Sequence, residues 1–472
     1  MRLSLLTIGL ESFTEAAALG GNSLSRRDLF KTPLLILLAL SLSELSLIGL
    51  WLFEKGVAER RPYSYIIEWV AFWGGAGSEY PRGVAVDGEG IYVAGSTTSY
   101  GSGREDIYLL KYSPSGELLW SRIWGGSSYD FAGDIATSKG NIYIAGLTAV
   151  SGRAWSVLLS YDSDGVLLWA RVWRGVEGTS GRAVSLDEAG AIYVSGYVGG
   201  LPPTPTSPFL LKYDPEGFLE WSWSGGGKAD YCWALALDGG IYLGGTRLVQ
   251  SLEPHRPRKT EFFLTKLDYG GRIIWSRVWG AGVENYCWSL TSYRGRIYMV
   301  GFTQAPSRAA DVVLLVYDEE GDLKSSCILG GDYEDYAWAV AAGGDYVYAV
   351  GHTLELGSSD ALLIKFDLDG APLWNMTWGG AGWDLARAVA VDGDCVYVAG
   401  LTYSLDNGPQ SFLLKLRSPN TRSSPLESVV LASVISLGLS IWMFLILFLI
   451  RTAGLSTSAA LDEPRTQDPN WH

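Results

Sequence analysis

Through the middle of the chain, apolar positions come in short runs rather than at helical spacing. Gly83-Val84-Ala85-Val86-Asp87, Ile91-Tyr92-Val93-Ala94-Gly95, Asp106–Tyr112 (DIYLLKY) and Glu117–Trp124 (ELLWSRIW) are rich in β-branched, aromatic and aliphatic residues. Each run stops at Gly, Pro, Ser or Asp, the pattern of β-strands between tight turns. Gly88-Glu89-Gly90 reads as one such turn. Ser113-Pro114-Ser115-Gly116 reads as a hairpin with glycine at the left-handed position. The four runs form one unit, and the unit recurs. The glycine closing its second run returns at Gly95, Gly146, Gly196, Gly245, Gly301, Gly351 and Gly400, at spacings of 51, 50, 49, 56, 50 and 49 residues. A period near fifty with four short strands per period predicts an all-β fold, a seven-bladed β-propeller of four-stranded blades over 65–417.

The first strand-like run, Ile66–Trp73 (IIEWVAFW), matches the fourth strand of the unit, and the last, Phe412–Leu416, matches the third. The N-terminal strand is therefore expected to complete the C-terminal blade, which closes the ring and removes an exposed sheet edge.

Composition narrows the function classes. The 472 residues include 59 Gly and 13% aromatics, which suits many turns and many packed strands. The net charge of −14 argues against a general nucleic-acid binder. Three histidines (His255, His352, His472) offer little to a metal centre or a His-based triad. Of the four cysteines, 232, 287, 327 and 395, none forms a CxxC pair. Cys232 and Cys287 hold the same position in successive repeats, an awkward geometry for a disulfide, and all four cysteines read as small buried hydrophobes. No cofactor and no metal is expected.

The flanks read differently. Residues 1–24 form a leader without firm pattern, expected to be disordered. Residues 25–54 read as a signal anchor or transmembrane helix. Ser25-Arg26-Arg27-Asp28-Leu29-Phe30-Lys31 resembles the twin-arginine export signal, with Leu and Phe exchanged, which implies export of a folded domain. Pro33–Phe53 then supplies 21 mostly apolar residues interrupted by Glu44, enough to span about 30 Å of hydrocarbon. It serves as a retained anchor or a cleaved signal; no A-x-A site follows it. After a short linker (418–427), residues 428–450 form a second transmembrane segment. Its core, Val429–Ile450, has 22 residues and no charge. A polar tail, 451–472, reads as disordered. Arg26, Arg27 and Lys31 before the first segment and Arg451 after the second place both ends in the cytoplasm and the repeats outside.

The run from Cys327 (CILGGDYEDYAWAV), then Tyr346–Gly351 (YVYAVG), then Asp360–Gly370 (DALLIKFDLDG) resembles the SBBP-type β-propeller repeat. The resemblance covers nearly all of 65–417. It departs mainly where Trp precedes the Gly pair, as at Trp124, Trp279 and Trp378. It implies a seven-bladed fold on exported proteins and no single activity.

Candidate chemistry is sparse. The third-to-fourth turns are uniformly tight, whereas two second-to-third loops stand out: the proline-rich Leu201–Pro208, and Val249–Thr260 with its basic knot 255–259. Loop variation on one face is where function commonly resides. The Asp-x-Asp-Gly turns at Asp162–Gly165 and Asp367–Gly370 lack the full ligand set of a calcium loop and read as capped hairpins. In the fourth-to-first connection an acceptor recurs at Glu79, Asp130, Thr179, Asp230, Asn285, Asp335 and Asp384, the regularity of turn capping. Three residues later the repeat becomes lopsided, with Arg82, Gly133, Arg182, Trp233, Trp288, Trp338 and Arg387. The three tryptophans each follow a tyrosine by two residues (Tyr231, Tyr286, Tyr336). They either fill space between blades, on the strand face of Leu235 and Leu237, or line a carbohydrate- or partner-binding patch on the loop-bearing face.

Two function classes follow. The first is a non-catalytic binding or cell-envelope scaffold module, anchored in the membrane with its propeller outside. Its partners would be the membrane and an envelope glycan or another envelope protein, and its binding residues the three Trp, the three Tyr and Arg82, Arg182 and Arg387. The second is a propeller enzyme, glycosidase-like or quinoprotein-like. A glycosidase needs two acids in the channel, and Asp134 is the single acid at the small-residue position of an inner strand.

Overall fold

The computed structural model of the chain describes residues 65–417 apart from 176, 200–205, 226–229, 250–258, 356 and 406–407. The leader, both apolar segments, the linker, the tail, most of the proline-rich loop and the basic knot apart from Lys259 lie outside the described residues. Among the described residues no helix is long and apolar enough to cross a membrane.

The described residues contain 28 strands, β1–β28, in seven antiparallel four-stranded sheets. In six blades the order follows the chain, beginning with β2 (Glu79–Asp87), β6 (Asp130–Ser138), β10 (Thr179–Leu186), β14 (Asp230–Leu237), β18 (Glu284–Tyr293) and β22 (Asp335–Gly343) as inner strands. The seventh has the order β1 (Ile66–Trp73), β28 (Gln410–Arg417), β27 (Cys395–Thr402), β26 (Asp384–Asp392). Ile66 pairs with Arg417 and Trp73 with Ser411. Glu68 clamps this closure by accepting from Lys415 at 3.0 Å and Arg417 at 2.7 Å. Each inner strand lies beside that of the next blade, and β26 returns to β2, so the ring is closed.

The core lies between blades. Each second strand buries a tyrosine (Tyr92, Tyr143, Tyr193, Tyr242, Tyr298, Tyr348, Tyr397). In several blades it packs on a fourth-strand tryptophan, as Tyr92 does on Trp120 and Tyr242 on Trp275. Outer strands also grip the following blade. Arg122 donates to the Gly165 and Asp164 carbonyls at 2.8 Å each while its guanidinium lies over Trp120. Arg171 and Arg277 do the same one blade and three blades further on. The third-strand lysine adds to this: Lys111 reaches the Ser163 carbonyl, and Lys415 reaches that of Pro114 across the closure. These grips need hairpins that present their carbonyls outward, and Gly116, Gly165, Gly217, Gly271, Gly321 and Gly370 all take positive φ there. Asp162 and Asp367 accept from backbone N–H groups of their own turns, as capped hairpins should.

The period-defining glycine has a steric cause. Every inner strand bulges: Pro81 pairs with Gly95 and Gly83 with Ala94, leaving Arg82 unpaired. The same shift leaves Gly133, Arg182, Trp233, Trp288, Trp338 and Arg387 as the odd residues of their strands. A Cβ on any of the seven repeat glycines would come closer than 3.0 Å to a backbone carbonyl oxygen of the bulging strand. Glycine therefore permits the bulge, and the bulge aims one side chain per blade away from the sheet.

Candidate functional site

The seven bulge residues converge. Arg82, Gly133, Arg182, Trp233, Trp288, Trp338 and Arg387, with the residues that follow them, line a channel cavity of about 190 Å³ at the centre of the ring. The tryptophans thus lie on the channel wall rather than on the outer loop surface. Arg387, Arg82, Gly133 and Arg182 occupy one contiguous sector, and the three tryptophans the other.

The aromatic sector is a row of tilted indole contacts. Trp233 and Trp288 have ring centroids 5.0 Å apart at 47°, and Trp288 and Trp338 are 4.9 Å apart at 45°. The guanidiniums flank it: Arg182 lies 5.0 Å from the Trp233 centroid and Arg387 4.0 Å from that of Trp338. Each tyrosine of the sequence pattern stacks on its own tryptophan, so Tyr231, Tyr286 and Tyr336 back the row. His352 holds Trp338 in place by accepting from its indole N–H at 2.9 Å. Burial, aided by Arg387, drives that imidazole down to about 3. It is neutral at physiological pH and keeps its acceptor lone pair.

The cationic sector is unusual for a chain of net charge −14. Among the described residues, none of the three guanidiniums has a carboxylate within ion-pair distance. Arg182 donates to the Tyr197 hydroxyl at 2.9 Å. Arg82 is exposed to solvent in the channel. Desolvation by the surrounding protein first, then the charge of Arg182, lowers its pKa. Burial and the charge of Arg82 push Arg387 down to about 9. The three guanidiniums line one cavity, so like charges are held close together. Arg182 Nε and the indole N–H groups of Trp233 and Trp288 are buried and find no acceptor among the described residues. Unmet buried donors cost about 1–3 kcal/mol each.

Among the described residues lining the cavity, Asp134 is the single carboxylate. It accepts from the backbone N–H groups of Ile135 at 2.8 Å and Val184 at 3.1 Å, and burial pushes it up to about 7. Gly133 is dictated by packing, since a Cβ there would sit 2.7 Å from the Gly181 carbonyl oxygen.

The acceptors of the fourth-to-first connection hold the loops. Asp130 and Asp384 accept from the N–H groups of Gly126 and Gly380 at 2.8 Å, and Asn285 from those of Ala281 and Gly282. Asp230 instead pairs with Arg247. All four cysteines are free; Cys232 and Cys287 are buried as expected, whereas Cys327 and Cys395 are only half-buried. Lys259, the described residue of the basic knot, pairs with Glu261. No group of three or more His, Cys, Asp or Glu that could hold a metal occurs among the described residues.

No protein-family model and no curated protein matches the chain. Several solved structures are similar to it at low identity. The β-propeller domain of the Trilobed protease from Pyrococcus furiosus matches at TM-score 0.44 and 11% identity, over 73% of this chain and 97% of that one. The WD40 propeller domain of Doa1 matches at 0.46 and 11%, over 77% and 100%. The acylaminoacyl peptidase of Pyrococcus horikoshii matches at 0.44 and 11%, over 73% and 53%. The chain is a β-propeller of seven four-stranded blades; likeness at this level carries no activity with it.

Proposed function

We propose that the protein is a non-catalytic binding module of the cell envelope, of SBBP-type repeats, that captures an anionic ligand in its channel. In this reading the flanking apolar segments hold it in the membrane with the propeller outside. The observation that carries the proposal is the convergence of Arg82, Arg182 and Arg387, with no carboxylate within ion-pair distance among the described residues, opposite the Trp233–Trp288–Trp338 row. Like charges held close together favour a bound anion, which offsets their repulsion. The indole row offers aromatic surface beside that charge. A small carboxylate, sulfate or phosphate head group suits the cavity. A glycosidase mechanism uses two carboxylates, and the described channel lining contains one.

The test is calorimetric titration of the full-length protein with sulfate and with glucuronate, repeated on the Arg82→Gln/Arg387→Gln double variant. Binding should fall at least about tenfold in the variant. Equal binding by both proteins would remove the channel as the site.

A further inference from the structure

The channel cavity has room for a head group and little more. A second cavity of about 550 Å³ adjoins it, between the inner ends of blades 7 and 1. It is lined by Tyr80, Gly382, Trp383, Leu385, Leu401, Tyr403 and, in common with the channel, Arg387. Its size falls within the range of small-molecule sites, about 300–1,000 Å³.

Two aromatic rings stand open here. Trp383 is 51% exposed and Tyr403 44% exposed. Their mobility is restricted at the backbone, because the Tyr403 N–H donates to the Trp383 carbonyl at 2.8 Å. Asp384 fixes the loop below by accepting from Gly380 N–H and the Ser404 hydroxyl at 2.8 Å each, and Ser404 in turn accepts from Gly382 N–H. The backbone carrying the two rings is therefore held before a ligand arrives, which lowers the ordering cost of binding. Among the described residues the lining offers aromatic faces, an apolar floor and hydrogen-bond donors, and no carboxylate or amide side chain. Neutral sugars are commonly held through such acceptors. A ligand that suits this lining brings acceptors of its own and a flat apolar face.

We infer that this groove is a sugar-ring subsite continuous with the channel through Arg387, and that the ligand is an acidic oligosaccharide. The carboxylate or sulfate of one sugar lies on Arg387, and the pyranose of the next sugar along the chain stacks on Trp383. The inference rests on the anion reading of the channel and extends it to a ligand class.

The experiment compares, on the full-length protein, a galacturonate monomer, a galacturonate tetramer and the methyl-esterified tetramer, with Trp383→Ala and Tyr403→Ala as variants. The tetramer should bind about tenfold tighter than the monomer, and esterification should abolish the gain. Each variant should reduce tetramer affinity to that of the monomer while leaving monomer affinity and melting temperature unchanged. Both side chains are well exposed, so the variants are expected to fold. Unchanged tetramer binding in both variants overturns the subsite. A glutamate hexapeptide that binds more tightly than any uronate overturns the glycan class. If sulfate binds with dependence on Arg82 and Arg387 while no uronate does, the glycan class falls and the anion ring stands. If neither sulfate nor uronate binds, both readings fall.

Discussion

The Arg387 guanidinium lies over the indole of Trp338 with its carbon 4.0 Å from the ring centroid, joining the cationic and aromatic sectors of the channel. Such a contact contributes about 0.5–2 kcal/mol. Arg387 is also repelled by Arg82, which offsets much of that gain. Arg387→Gln is therefore expected to shift the melting temperature by no more than a few degrees while anion affinity falls about tenfold. A clear loss of stability with unchanged affinity would make Arg387 structural.

Trp288 touches an indole on each side. Truncating a fully buried tryptophan costs about 3–5 kcal/mol, but Trp288 is only half-buried, so Trp288→Ala should cost about 2 kcal/mol in urea denaturation. Trp288→Phe should recover most of the stability and part of the binding. A cost above about 4 kcal/mol with ligand binding intact would assign Trp288 to the core.

Anion binding should depend on pH through Asp134, which burial pushes up to about 7. As pH rises through 7 the carboxylate ionises and cancels part of the channel's positive charge, so affinity should weaken. Glu105, also raised to about 7 by burial and opposed by Arg82, titrates over the same range, so the Asp134→Asn difference isolates Asp134. The stability linkage has the matching sign. The folded-state value lies above the unfolded value of about 3.9, so Asp134 favours folding most at low pH and loses that contribution as pH rises toward 7. A wild-type minus Asp134→Asn difference that is flat in pH, in affinity and in melting temperature, would refute this.

Deleting β1 should expose the edge of β28 and release Lys415 and Arg417 from Glu68. The expected result is self-association in light scattering, because an unpaired edge strand templates pairing with other chains. A well-folded monomer would show that the closure is dispensable.

The proposed topology predicts that protease added to intact cells degrades the propeller and spares the C-terminal tail. Asn375, exposed on the outer strand of its blade, heads the sequon Asn375-Met376-Thr377, and a glycan there would mark the same side. Protection of the propeller in intact cells would reverse the topology.

Much of the fold could be read in advance because its cause is local and repeated. Alternation and turn glycines act within a few residues, and the repeat multiplies a weak signal seven times. The match of Ile66–Trp73 to a fourth strand already implied its pairing with the third-strand run at 412–416. The lopsided set of Arg82, Arg182, Arg387 and the three tryptophans was likewise visible as a break in the repetition.

What the sequence alone determined is the periodic framework: strand number, blade order, closure, and which repeat position varies. The tertiary structure decided where that position points. A bulge is a relation between two strands, set by a carbonyl lying against a glycine in the neighbouring strand, and no single stretch reveals it. Only ring closure brings Arg387 beside Arg82, and Trp233 within reach of Trp338 through Trp288, since these residues lie fifty or more positions apart. The groove of Trp383 and Tyr403 went unnoticed in the sequence for the same reason. Its walls come from two blades that meet only when the last strands return to the first, and burial and charge at that seam are properties of the assembled ring.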